Sequence, residues 1–127
     1  MRERLASHTS FSASRELALQ LLPTDDLAQA QRNLRITTEA VHLLSLRPDV
    51  TTGGTRDVRE IASRAALGSL LDPPNILLVK ATLAASRNLR NLIVHTAEGR
   101  GGLDTLRFIA SGISTFPRLE AEIERYL

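Results

Sequence analysis

An all-α fold, a bundle of about five to six helices, is expected from composition, punctuation and periodicity taken together. Leu and Ala dominate the chain, aromatic residues make up only 3% and Trp is absent. The core therefore has to be built from aliphatic side chains, which suit helix packing better than sheet packing. Pro23, Pro48, Pro73 and Pro117 stand at the boundaries of the apolar segments, where proline starts or stops a helix. Inside the longest segments, apolar residues recur at three- and four-residue steps, the helical period.

The first helix is expected from about Ser14 to Leu22, ended by Pro23, with Leu17 and Leu21 as its buried stripe. A second starts near Asp25 and Asp26, whose charges suit a helix N-terminus. It places Leu27, Ala30, Leu34, Thr37, Val41 and Leu44 at alternating three- and four-residue steps, a heptad-like seam. The seam predicts close, nearly antiparallel packing against another helix, leaving Arg32, Arg35, Glu39 and His42 toward solvent. Pro48 closes this element. In the stretch TTGGTRDVREIASRAALG, Gly53 and Gly54 turn the chain and Thr55 caps a short helix that Gly68 stops. Val58, Ile61, Ala62 and Ala65 fall on one side of it and Arg56, Arg59 and Arg64 on the others, with Glu60 and Arg64 one turn apart in the favourable order.

A fourth helix is capped by Asp72, has Pro73 at the first helical position where no amide donor is needed, and reaches about Ala97. The GRGG turn at Gly99 to Gly102 leads to a shorter helix from Asp104 to about Ala110, and a last one starts at Pro117. Phe108, Ile109 and Phe116 are expected to supply most of the late packing. The Leu119, Ile123, Leu127 stripe is still in phase at the final residue, with no capping glycine after it, so the natural chain is expected to continue.

At 127 residues, 43% apolar and 24% charged, the chain is read as a single α-helical domain spanning residues 1–127, without an internal repeat or a low-complexity segment. The absence of cysteine rules out a disulfide framework and a thiolate metal site, and fits a reducing compartment, so a cytoplasmic location is expected. MRERLASHTS has no apolar signal-peptide core. The most apolar run, Ile76 to Val94, is broken by Lys80, Arg87 and Arg90, which argues against a membrane span. The formal net charge is only +2, yet 15 of the 16 basic residues are arginine. Codon usage in a GC-rich genome accounts for that choice; so does the guanidinium's fit to phosphate and carboxylate.

A search for chemistry returns mostly negatives. There is no Gly-x-x-x-x-Gly-Lys-Ser/Thr loop, and GRGG lacks the lysine and the preceding strand of a nucleotide site. His8, His42 and His95 stand apart, none with a carboxylate or second histidine at helical ligand spacing, so no metal site is expected. Glu120, Glu122 and Glu124 alternate along a helix and point to different faces, the pattern of a solvated surface. No Gly-x-Ser-x-Gly elbow occurs and no catalytic residues are assigned. One constellation has a plausible ligand: Lys80, Arg87 and Arg90 fall in a segment, Pro73 to Ala97, that contains no acidic residue, with Asn88 and Asn91 nearby. Such a stripe suits a nucleic-acid phosphate backbone; a solvated face whose cations pair with acids on other helices fits the same residues.

The order and spacing of SASREL, LLPTDD, TTEAVHLL, GGTRDVRE and RAALGSLL, strongest from Ser14 to Leu92, resemble the N-terminal region of the bacterial MutS-like proteins of the second type. The resemblance implies an α-helical core with long lever helices, a clamp, and a homodimeric ATPase that uses ATP and Mg. It implies action on branched or mismatched DNA, suppression of recombination and, in some bacteria, rescue of collided ribosomes. Many members carry an Smr-type endonuclease domain, and the family lacks the mismatch-reading domain; no Phe-x-Glu motif occurs here. On this reading the chain is an excised N-terminal piece of the core and lever region, with a structural role, phosphate contacts through Lys80, Arg87 and Arg90, and neither cofactor nor catalysis of its own. The competing class is a stand-alone helical module that binds a protein through exposed Leu and Ala.

Overall fold

The computed structural model describes residues 1–127 and contains helices only. In chain order these are α1 Arg2–Ala6, α2 Ser12–Leu19, α3 Leu27–Leu46, α4 Arg59–Ala66, α5 Pro73–Ala97, α6 Asp104–Ser111 and α7 Pro117–Tyr126. The all-α expectation holds. The seventh helix is the five-residue α1, too short to leave a periodic signal.

Local chemistry sets most of the ends. Asp26 accepts from the Gln29 amide at 3.2 Å and opens α3, and Asp72 accepts from the Asn75 amide at 3.0 Å and opens α5 ahead of Pro73. The Gly68 amide donates to the Ala65 carbonyl at 3.0 Å and the Ser69 amide to the Arg64 carbonyl at 3.1 Å. With Gly68 at φ +86°, this is a Schellman closure of α4, a conformation that glycine adopts without strain. The start of α4 differs from expectation. Thr55 directs its hydroxyl back to the Thr52 carbonyl at 2.5 Å and is consumed in the preceding turn. Asp57 takes over, accepting from the Arg59 amide at 3.1 Å, so the helix begins at Arg59. α2 ends at Leu19, three residues short of Leu22.

The chain divides into two compact units, with the boundary inside α5 between Ser86 and Arg87. The first comprises residues 1–21, 52–86 and 115–127. In it α1 packs on α2, and each of the two helices buries one alanine, Ala6 and Ala18. The Arg59 guanidinium reaches from α4 to Glu16 on α2 at 3.3 Å while gripping Asp57 at 2.6 Å, and the Arg56 amide donates to the Thr82 hydroxyl on α5 at 3.0 Å. Leu17 and Leu21, expected as the buried stripe of the first helix, are 70% and 53% exposed; the small Ala18 occupies the buried position instead.

The second unit comprises residues 22–51 and 87–114. Its core is Leu43, Ala97 and Leu103, with Leu46, Val50, Ile93 and Leu106 packed around it. α3 faces α6 with Ile36, Glu39, Ala40, Leu43 and Leu46, not with the heptad-like seam. Leu27, Leu34, Val41 and Leu44 of that seam remain exposed, and Glu39, expected in solvent, is only 5% exposed. The late packing also comes from other residues than expected. Phe108, Ile109 and Phe116 are exposed, whereas Leu103, Leu106 and Ala110 are drawn inward.

Candidate nucleic-acid interface

α5 sets the geometry of the three candidate cations. Its cap and proline fix where the helix begins, and a step of three residues places Arg87 and Arg90 one turn apart, about 60° from each other around its axis. The helix has no acidic residue anywhere between Pro73 and Ala97. Lys80 lies in the first unit, where its ammonium pairs with Glu124 of α7 at 3.0 Å and its side chain is 31% exposed. Arg87 and Arg90 lie in the second unit, one turn apart and half-buried. Each guanidinium donates to the amide oxygen of the asparagine that follows it, Arg87 to Asn88 and Arg90 to Asn91, both at 3.3 Å.

The lysine and the arginines differ chemically. Lys80 has a carboxylate partner, so a phosphate approaching it displaces or shares Glu124. That pair also places one of the three C-terminal glutamates against another helix rather than wholly in solvent. Arg90 is oriented by a neutral amide, which steers the planar fork without cancelling its charge, the arrangement that suits a phosphate oxygen.

Sequence reasoning overlooked Glu39. Its carboxylate accepts from the amides of Thr105 at 2.7 Å and Leu106 at 3.1 Å, the open donors at the start of α6. Burial pushes its carboxyl up, but the Thr105 side chain, the Leu106 and Thr105 amides and the charge of Arg35 together hold it below the ordinary 4.5. The only trace in the sequence is phase: Glu39 stands one and two turns before Leu43 and Leu46. Gly102, Leu34, Arg35, Thr38 and Asp104 line an open cavity of about 690 Å³ beside it. At the far end of α5, Thr96 Oγ1 is buried without a hydrogen-bond partner. Arg47, Glu98 and Arg100 line a cavity of about 360 Å³ there, with both signs of charge present.

The residues present do not fit ATP and magnesium. No group of three or more His, Asp or Glu side chains converges to hold a metal, and no glycine-rich loop with a lysine exists to cradle phosphates. No helix is long and apolar enough to cross a membrane.

No family model and no solved structure matches the chain. Curated proteins do. The chain is 38% identical over 125 residues to the endonuclease MutS2 of Geobacillus thermodenitrificans, covering 98% of this chain and 16% of that protein. It is 33% identical to the endonuclease MutS2 of Thermomicrobium roseum, again over 98% of this chain and 16% of the relative. To that of Bacillus velezensis it is 31% identical, over 97% of this chain and 16% of the relative. The chain thus spans about a sixth of the length of the curated relatives it matches. Over nearly its entire length, it resembles an N-terminal segment of the MutS2 proteins.

Proposed function

We propose that this chain is the N-terminal helical core domain of a MutS2-type protein, a homodimeric ATPase that acts on branched or mismatched DNA and suppresses recombination. Within such a protein these helices help place lever and clamp around nucleic acid, and α5 adds backbone contacts through Lys80, Arg87 and Arg90. ATP hydrolysis with magnesium, endonuclease activity and action on collided ribosomes in the cytoplasm belong to the same reading and reside outside these residues. The observation that carries it is the identity with MutS2 proteins across 98% of the chain. The acid-free length of α5 and the neutral partner of Arg90 support the phosphate contact.

A second reading, a helical module that binds another protein, is favoured by the exposed aliphatic side chains of α2 and α3 and by Leu67 and Leu70, which are 85% and 100% exposed. Binding of the purified chain to labelled duplex and four-way-junction DNA, at low and moderate salt, separates the two. Salt-sensitive binding that is tighter for the junction supports the nucleic-acid role. No binding even at low salt removes it and leaves the protein-binding role.

A further inference from the structure

The carboxylate that meets Lys80 comes from a helix that the first unit holds weakly. α7 buries none of its ten residues. Glu120 and Ile123 are half-buried, while Leu119 is 44% and Tyr126 78% exposed. Its N-cap residue, Phe116, has no side-chain oxygen to offer the open amides of the first turn. Ten residues also fall short of the roughly 12–15 that an isolated helix needs to be even marginally stable in water. A helix with so few buried contacts opens locally at low cost.

The pair itself is built to be exchanged. The Lys80 side chain is 31% exposed, and its ammonium meets Glu124 Oε2 at 3.0 Å. An ammonium has three donors, but a phosphate oxygen bonded to the same nitrogen stands within about 5 Å of the carboxylate, where two anions repel. Occupancy is therefore alternate, carboxylate or phosphate. The Glu124 side chain is 73% exposed, so it can swing into water and keep its hydration when it leaves. Such a surface pair is held weakly, which masks the lysine without locking it.

We propose that α7 is an autoinhibitory cover for Lys80: Glu124 occupies the place that a nucleic-acid phosphate takes, and the two compete for one ammonium. The proposal rests on the phosphate-contacting reading of α5 and adds its regulation. Whatever draws α7 away from Lys80 raises affinity for the phosphate backbone, and bound nucleic acid in turn releases Glu124, since the coupling is reciprocal.

Binding of labelled four-way-junction DNA to the purified chain at about 0.1 M salt tests this. Glu124→Gln, which frees the ammonium with little change in side-chain size, is expected to bind about three- to five-fold tighter than native. Glu122→Gln makes the same change in net charge from about 160° around α7 and stays within about 1.5-fold of native. In a Lys80→Gln background the gain from Glu124→Gln disappears. A Glu124→Gln chain no tighter than native, or a gain of equal size in Glu122→Gln or without Lys80, overturns the proposal. If Lys80→Gln/Arg87→Gln/Arg90→Gln weakens binding while Glu124→Gln leaves it unchanged, the cover is wrong and the phosphate-contacting reading of α5 stands. If the triple variant binds as the native chain does, or neither binds, that reading falls and the proposal with it.

Discussion

The carboxylate of Glu39, midway along α3, accepts a hydrogen bond from the amide of Thr105 at 2.7 Å and thereby caps α6 from a site 66 residues away in sequence. Leu103, the residue in the N-cap position of α6, has no side-chain oxygen to offer, and the helix would otherwise begin inside the second unit with open donors. A buried carboxylate at a helix start is stabilised by the amides it accepts from and by the positive end of the macrodipole. The same interaction ties α3 to α6 beside the Leu43 and Leu103 core.

Glu39→Ala removes the acceptor and leaves two amides unpaired, and is expected to lower unfolding free energy by about 1–3 kcal/mol. Glu39→Gln keeps one oxygen but loses the charge, with a smaller loss of about 1 kcal/mol. Urea denaturation followed by circular dichroism measures both. If Glu39→Ala unfolds at the native midpoint, the capping role is wrong.

The pH dependence follows from the same residue. The folded carboxyl lies below its ordinary 4.5, so the unfolded chain binds the proton first and Glu39 stabilises the fold above 4.5. That contribution disappears as pH falls below 4.5 and through the lower folded value. Acid titrations of the native chain and of Glu39→Gln should therefore converge as the solution is acidified, and parallel curves would contradict the assignment.

Gly102 has φ +83°, and a Cβ built there lies 3.4 Å from the His42 ring. Gly102→Ala is expected to destabilise by about 1–2 kcal/mol through backbone strain at the positive φ. Gly101→Ala, with open space and no positive φ, should stay within about 0.5 kcal/mol of native. Thermal unfolding of the two variants side by side decides this.

Leu103 is fully buried, and Leu103→Ala should cost about 2–5 kcal/mol by opening a cavity in the small core of the second unit. Equilibrium unfolding in urea reads the loss; a change below about 1 kcal/mol would mean that the site collapses around the smaller side chain.

Asp57 is held down at about 2 by the Arg59 guanidinium and the Arg59 amide, both of which bond its carboxylate. Its interaction with Arg59 is present above the ordinary 3.8 and is lost only as pH falls through about 2. In Arg59→Gln the Asp57 titration followed by NMR should move up toward 3.8, and an unmoved titration would show that Arg59 is not the cause.

Most helix starts and stops decided by one side chain or a glycine were legible, but the start of α4 was not, because Asp57 rather than Thr55 meets the Arg59 amide. Asp26, Asp72, Pro73 and Gly68 act where local chemistry places them. Choosing the buried face of each helix was not possible from spacing alone. α3 has aliphatic residues on two sides, and which side turns inward depends on α6, more than 50 residues later in the chain. A carboxylate such as Glu39 reads as a surface residue until the amides it caps are placed against it. That Lys80, Arg87 and Arg90 share one acid-free helix was legible, because it needs only the bounds of α5. The acid that meets Lys80 was not, since Glu124 comes from α7 and only the fold brings the two together.

The most direct test of the nucleic-acid role is the salt dependence of four-way-junction binding by the native chain and by its Lys80→Gln/Arg87→Gln/Arg90→Gln variant. Removing one cation from the phosphate backbone should reduce the slope of log affinity against log salt by about 0.9. A fall of about 2–3 in slope, with weaker binding at low salt, is the predicted result. Equal affinity and equal slope in the two proteins would contradict a phosphate-contacting α5 and leave these helices a structural role alone.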